Sequence, residues 1–396
     1  MTESRSALRI LAHESAVPII ARELTRRRLL TLAAMAGGTA LLAACSPGGQ
    51  GSTNTGPQAT GGPLENSLSI YTWGDYDSPD VISSFTADLG PKITLDSYSS
   101  NEELIAKLIA AKGTSGFDIV VPTGVFIPQM IENGLLAKLN KDLLPNLANM
   151  DENYLGRAWD PTNDYSVCKA WGTTGFVYDK NVITRELTTW GDFFDAAQNE
   201  ASGKTAMSDD PAGIIGAYFW ANDMDWNTQD AGELDACRAF LVEKIAPHIA
   251  AFDSYPGTNA IPQGTQALVQ AWNGDARLGI MESPDPDRWQ WVLPGPQTEL
   301  WMDNWAIAAG APNPEAAHAF INFSMTPENL LLNLDYIGYH VGGKNLEQAA
   351  DGEGLEMPEL IFFTDAQLAT MHEQELNDSQ TVRVEIWNEM KAAAGA

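Results

Sequence analysis

Three short stretches of the chain set an indole or phenol beside a carboxylate: Tyr71-Thr72-Trp73-Gly74-Asp75-Tyr76, Trp272-Asn273-Gly274-Asp275 and Trp301-Met302-Asp303-Asn304-Trp305. A fourth, Asp209-Asp210, is a bare acid pair. These are the groups that a desolvated organic cation needs. An indole face attracts an ammonium by about 0.5–2 kcal/mol, and a carboxylate supplies the charge-assisted hydrogen bond. Bulky core residues and turn-forming acids would spell the same letters, so the pattern carries chemistry only if folding gathers it at one place.

Signatures of catalysis are broken where they begin. Gly203-Lys204-Thr205 imitates the end of a phosphate-binding loop, but Gln198 stands where its leading glycine belongs. His372-Glu373 starts a zinc-protease pattern that Leu376 ends. There is no Gly-x-Ser-x-Gly elbow. His248, His318, His340 and His372 are far apart and read as surface or packing residues. Asp223/Asp225 and Asp285/Asp287 read as turn residues rather than cation ligands. Neither an enzyme nor a cofactor or metal is expected. Cys168 and Cys237 could pair outside the cell, but read rather as free or buried thiols, since nothing in the sequence puts their predicted elements side by side.

The elements that position the aromatic and acidic stretches alternate as strand and helix. Leu68 to Tyr71 start a strand, and Ser78-Pro79 opens a helix that runs to Leu89 and stops at Gly90. Ile93 and Leu95 alternate as a second strand, and Asn101 caps a helix with Leu104, Ile105, Leu108 and Ile109 on one face. Phe117 to Val121 is a buried strand, giving a βαβαβ order and a parallel sheet covered by helices. Further units are expected at Asn181–Gln198, before Asp209, at Glu233–Lys244 and at Trp289–Leu293; Asn313-Pro314 and Thr326-Pro327 each open a helix, and Gly338 closes the second. In open α/β sheets ligands sit beyond the carboxyl ends of strands, where the aromatic and acidic turns fall.

The 396 residues carry 23 Lys+Arg against 52 Asp+Glu, a net charge of −29, which excludes a nucleic-acid binder. With 44% hydrophobic residues and 12 Trp the chain can fill two cores. Its first residues read as a targeting signal. Thr25-Arg26-Arg27-Arg28-Leu29-Leu30 is a twin-arginine pattern, and the uncharged run Leu29 to Ala44 is short for a membrane span. Leu42-Ala43-Ala44-Cys45 has lipobox spacing, which makes Cys45 the lipidated N-terminus of an exported protein; an uncleaved anchor is the alternative. Loss of residues 1–44 removes six Arg and three Glu and leaves 17 basic against 49 acidic residues, net −32. From Ser46 to Pro63 the chain is uncharged Gly, Pro, Ser, Thr, Gln and Asn, a tether whose random-coil span is about 20–25 Å.

From about Ser67 to the C-terminus the chain resembles the spermidine/putrescine-binding proteins of bacterial polyamine ABC importers. The resemblance is carried by Ile70 to Tyr76, Ser100 to Leu108, Phe117 to Pro122, Trp171 to Gly175, Trp272 to Gly274, Trp301 to Asp303 and Ile337 to Tyr339, in the order that family shows. It implies a type II periplasmic-binding-protein fold: two α/β lobes, each a mainly parallel sheet flanked by helices, closing on ligand about crossing segments. The implied division is a signal over 1–44, a tether over 45–65, a first lobe from 66–171 plus 302–347, and a second from 172–301 plus 348–396. Crossings are expected near Trp171, Trp301/Met302 and Glu347.

The resemblance also implies which residues hold ligand. Trp73, Tyr76, Trp272, Trp301 and Tyr339 would wall the slot, Asp75, Asp210 and Asp303 would take ammonium groups, and Thr123 would be a polar contact. Three positions depart from the family's pattern: Val125 stands where a ring is common, with Phe126 next to it; Gly213 stands where a second acid is common; and Glu375 falls where a neutral amide belongs, which would restore the charge. The implied function is capture of a polyamine without turnover by a monomeric, lipid-tethered protein outside the cytoplasmic membrane, and its delivery to an ABC permease driven by a separate ATPase subunit. The alternatives are a binding protein for another organic cation (a guanidino compound, thiamine or an opine) and a secreted carboxylate-pair glycosidase.

Overall fold

The computed structural model describes residues 58–111 and 115–395; the twin-arginine pattern, the apolar run, Cys45 and most of the tether lie outside the described residues. From β1 (Ser67–Trp73) the chain enters α1 (Pro79–Leu89), which opens on a proline and ends at Gly90 with φ of 101°. Its apolar face buries Val81 and Phe85. β2 (Lys92–Tyr98) and α2 (Asn101–Ala111) follow, the helix burying Leu104, Ile105 and Leu108. β3 is only Ile119–Val120, shorter than its apolar run, because Asp118 turns its own carboxylate onto the Ser69 N–H at 2.8 Å. After β4 (Leu136–Ala137) comes β5 (Ser166–Asp179), fourteen residues all buried.

The second half repeats the alternation. α3 (Trp190–Gln198) starts at Thr189 rather than at Asn181, because Thr189 and Asp192 form a reciprocal capping box. β6 (Thr205–Ser208) leads through Asp210 into α4 (Pro211–Ala221), and α5 (Ala231–Phe240) precedes β7 (Ile249–Asp253) and β8 (Leu268–Trp272). α6 (Asn273–Met281), β9 (Trp289–Val292) and β10 (Thr298–Ala308) follow. α7 (Pro314–Ser324) and α8 (Pro327–Ile337) both open on proline, and Gly338 closes α8 in the left-handed region. β11 (Met371–Glu373) and α9 (Gln380–Ala394) complete the described chain.

The main strand order is β2-β1-β3-β10-β5-β8-β6-β7, with β4 and β11 on β10 and β9 on β5. Within each lobe β1 pairs parallel with β2 and β3, and β6 parallel with β7 and β8. Between the lobes the ladder turns antiparallel: β10 against β3 and β5, and β5 against β8. β5 pairs with β10 over Ser166 to Thr173 and with β8 from Thr174 to Tyr178, so one strand passes from the first lobe to the second. The fold is the expected two-lobed α/β arrangement, joined by an antiparallel strand pair.

Each lobe has its own cores. Leu68, Ile70, Phe85, Trp171, Met302 and Phe320 belong to the first lobe, and Phe176, Trp190, Phe219, Trp220, Leu268 and Trp387 to the second. Each such Leu, Ile or Phe stabilises its lobe by about 1.5–3 kcal/mol. Residues 355–371 touch both lobes, with Ile361 and Met371 in a first-lobe core and Leu360 in a second-lobe one. Cys168 and Cys237 are free, buried, and in different lobes. The end of the low-complexity stretch is docked: the N–H groups of Thr60, Gly61 and Gly62 donate to the Glu315 carboxylate on α7 at 2.7, 3.1 and 3.0 Å.

Candidate functional site

The carboxyl ends of β1 and β3, the middle of β10 and the end of β8 meet between the lobes. Asp303 on β10 is the hub. Its Oδ1 accepts the Thr123 hydroxyl at 2.7 Å, and Thr123 is held by both ends of the Asn101 amide at 2.9 Å. The Tyr76 hydroxyl faces the same carboxylate. Asp303 is only 7% exposed, and burial pushes its carboxyl up to about 6, against the opposing pull of Thr123, Tyr76 and Lys169.

Aromatic rings extend from this hub. Tyr339 lies edge-on to Tyr76 at 6.3 Å and to Trp301 at 4.9 Å between centroids. Its hydroxyl donates to the Asp275 carboxylate at the start of α6, which joins the lobes. Burial raises Asp275 to about 6. Trp73 is oriented by its indole N–H, which donates to the Val121 carbonyl at 3.1 Å, and its ring packs on Tyr98. Trp272, half-buried at the end of β8, lies opposite Thr174 of β5. The indole N–H of Trp301 is buried without a partner in the described structure.

Two glycines make room for these rings. A Cβ on Gly172 would stand 2.6 Å from the Trp301 ring, and one on Gly274 would stand 2.6 Å from Tyr339. Gly172 faces Trp301 directly across the β5/β10 ladder, so its missing side chain is what lets the indole lie over the sheet.

Asp210 caps α4, accepting the N–H groups of Ala212 and Gly213 at 3.2 and 2.8 Å. Burial raises its pKa. Its neighbour Asp209 is paired with Lys391 at 2.9 Å, whereas Asp210 has no ion pair among the described residues. Two acids absent from the sequence expectation join it. Glu299 on β10 and Glu102 at the start of α2 both feel the Asp210 charge, and burial, the larger cause, drives them up to about 8 and about 7. Neither has an ion pair among the described residues.

Two expected acids stand elsewhere. Asp75 is exposed, with φ of 51°, in the turn after β1; the buried acid of that turn is Asp77, paired at 3.0 Å with the buried Lys169. Glu375 is exposed and fixed through its backbone N–H to Asn227, while Gln374 lines the cavity beside Trp301. That narrow cavity, about 20 Å³, is bounded by Thr123, Val125, Trp159, Glu299, Trp301 and Gln374. Val125 brings no ring and Phe126 is buried in a core, but the half-buried Trp159 lies across Gly124, where any Cβ would collide with its indole. Eight of the ten expected site residues, all but Asp75 and Glu375, converge between the lobes; Glu102, Trp159, Asp275, Glu299 and Gln374 join them.

The two buried histidines, His340 and His318, are structural. His340 sits between the Trp171 indole N–H and the Gly342 N–H, and burial lowers it to about 4, so it is neutral. His318 accepts the Asn140 N–H. Among the described residues no three His, Cys, Asp or Glu side chains come together closely enough to hold a metal ion, and no helix is long and apolar enough to cross a membrane.

A family model described as bacterial extracellular solute-binding protein matches residues 80–356. The spermidine/putrescine-binding periplasmic protein of Escherichia coli (strain K12) is 31% identical over 275 residues, 69% of this chain and 77% of that protein. A solved structure assigned to a spermidine/putrescine ABC transporter of Listeria monocytogenes superposes with a TM-score of 0.75 at 27% identity, covering 83% of this chain and 99% of the other. A lipoprotein of Treponema pallidum superposes at 0.70 with 25% identity, over 83% of this chain and 99% of the other.

Proposed function

Because the chain belongs to the bacterial extracellular solute-binding proteins, within their polyamine-binding family, we propose that it captures a linear polyamine between its lobes and hands it to a membrane permease of an ABC importer. The observation that carries this reading is the chemistry of the interlobe cleft. Glu102, Asp210, Glu299 and Asp303, from both lobes, make no ion pair among the described residues, and the charge of Asp210 acts on Glu102 and Glu299; Trp301, Tyr339, Tyr76, Trp73 and Trp272 provide the rings of the same cleft. Anionic oxygens in a dry site are costly unless a cation enters. Protonated amines satisfy them, and indole faces take the methylenes between.

Capture needs no covalent chemistry. Contacts made only when both lobes touch the ligand favour the closed form, which drives closure. A micromolar complex requires about 8 kcal/mol net. The lobes divide as 66–171 with 302–347 and 172–301 with 348–396, hinging on the β5/β10 pair. Asp303 and Asp210 take ammonium groups from opposite lobes, and Thr123 steadies Asp303. We assign Asp75 and Glu375 to the entrance, where their exposed charges attract cations. Cys45 carries the lipid, the stretch to residue 57 tethers a monomeric body outside the membrane, and a separate ATPase subunit powers import; the structural relative from Treponema pallidum is itself a lipoprotein.

Calorimetry of the purified protein against putrescine, spermidine, a guanidino amine and an oligosaccharide tests the reading. Stoichiometric heat and an upward melting shift are expected with the amines, without turnover. Trp301→Ala and Asp303→Asn should each weaken amine binding at least tenfold. Heat only with the guanidino amine moves the ligand class, and product accumulation from the sugar overturns a binding role.

A further inference from the structure

Position along β10 holds more information than the hub at Asp303. Residues two apart on a strand share a face, so Glu299, Trp301 and Asp303 form a row of carboxylate, indole and carboxylate. The row ends at Asp303, because the ladder with β5 shifts register between Asp303 and Asn304, and Trp305 is buried in the core. Across the sheet the same face carries Thr174, paired with Trp272 of β8 and donating its hydroxyl to Glu299 Oε2 at 2.6 Å. Glu299 therefore lies on the face that holds Trp272, Trp301 and Asp303, and it lines the same cavity as Thr123 and Trp301.

We propose that Glu299 is a second ammonium-binding residue, and that its distance from Asp303 makes the cleft select triamines over short diamines. This rests on the polyamine reading and refines it. Four residues of strand separate the two acids by about 13 Å between Cα atoms. With bonds of roughly 1.5 Å in a zigzag, a five-bond diamine spans about 6 Å between nitrogens and a nine-bond triamine about 11 Å. A diamine seated on Asp303 ends beside Trp301. A triamine crosses the indole and reaches Glu299.

The far end of the row is built for a charged donor. Glu299 is 6% exposed, has one hydrogen bond from Thr174, and has no basic partner among the described residues. Asp210 is close enough for its charge to act on Glu299. The Ser208 hydroxyl, 1% exposed and without a partner, lies beside Asp210 at Gly213: a Cβ there would stand 3.2 Å from both Ser208 Oγ and Asp210 Oδ2. A compact metal ion does not suit so spaced a set of oxygens, and among the described residues no three such ligands converge. A primary ammonium, with three donors, suits a carboxylate that has one oxygen uncommitted.

The test is titration of wild type, Glu299→Gln and Asp303→Asn with putrescine and with spermidine. Glu299→Gln keeps an acceptor for Thr174, and its melting temperature without ligand verifies the fold. It should weaken spermidine at least tenfold and leave putrescine within twofold, while Asp303→Asn weakens both. Unchanged spermidine affinity in Glu299→Gln, or equal loss for the two amines, overturns the role of Glu299 while the Asp303 result still supports polyamine capture. If wild type binds neither amine, the polyamine reading itself falls, and the selectivity with it.

Discussion

Gly172 and Gly274 decide where the rings of the cleft can lie. Neither is in the left-handed region, so their role is space rather than backbone freedom. Gly172→Ala would press a methyl into Trp301, with its neighbours already close-packed. Overpacking of this kind costs about 1–3 kcal/mol, and the displaced indole should lower amine affinity about tenfold or more, measured by calorimetry beside a melting curve. The acids add a second test. Glu299 and Glu102, raised to about 8 and about 7, retain protons in the empty closed cleft near neutral pH and must give them up to solvent when an ammonium ion binds. Binding heats measured in buffers of different ionisation enthalpy should therefore reveal net proton release with spermidine, smaller in Glu299→Gln. At this scale the sequence was readable where an acid and a ring were adjacent, as at Trp301 and Asp303. Glu299 escaped notice because its relation to Asp303 exists only once β10 is known to be a strand. Trp159 escaped because it reaches Gly124 across 35 positions. Gln374 and Glu375 differ by one step after β11, where no periodicity says which side chain turns inward.

Among the elements, α4 ties a structural duty to a binding one. Its first-turn N–H groups are held by Asp210, so the residue proposed to take an ammonium is also the helix cap. Asparagine caps helices about as well as aspartate, whereas alanine costs about 1 kcal/mol. Asp210→Asn should then leave the melting temperature nearly unchanged while weakening amine binding, and Asp210→Ala should lower both. Equal amine affinity in wild type and Asp210→Asn would reduce Asp210 to a cap. Helix boundaries were legible wherever proline and glycine punctuate the chain: Pro79 to Gly90, and Pro327 to Gly338, follow from local backbone chemistry alone. The start of α3 was not, because Thr189 and Asp192 outcompete the apparent start at Asn181 through a reciprocal bond that spacing alone does not single out. The antiparallel run of β10 against β5 was equally hidden, since strand direction is set by partners more than a hundred residues apart.

For the whole molecule, closure sets like charges against one another. Glu102 and Asp303 come from the first lobe, Asp210 and Asp275 from the second, and Glu299 from the far end of the shared strand; among the described residues Lys169 is committed to Asp77, Arg157 to Glu373 and Lys391 to Asp209. The pKa of each of these five acids is raised by burial. A carboxyl whose folded value lies above its free value near 4 binds more protons in the closed form, so closure without ligand is favoured at low pH and loses favour as pH rises through about 6 to 8. Aliphatic amines, with pKa near that of lysine at about 10.4, stay charged throughout. The empty protein should accordingly be more compact in solution scattering at about pH 5 than at about pH 8. Spermidine should compact it at pH 8, and its affinity should fall at least tenfold at pH 5, where Asp303 and Glu299 are protonated. Identical scattering of the empty protein at both pH values would mean that the facing carboxylates do not govern the lobe equilibrium, and closure would then have to be ascribed to the packing of Tyr255 against Gly74 and of Tyr339 against Gly274.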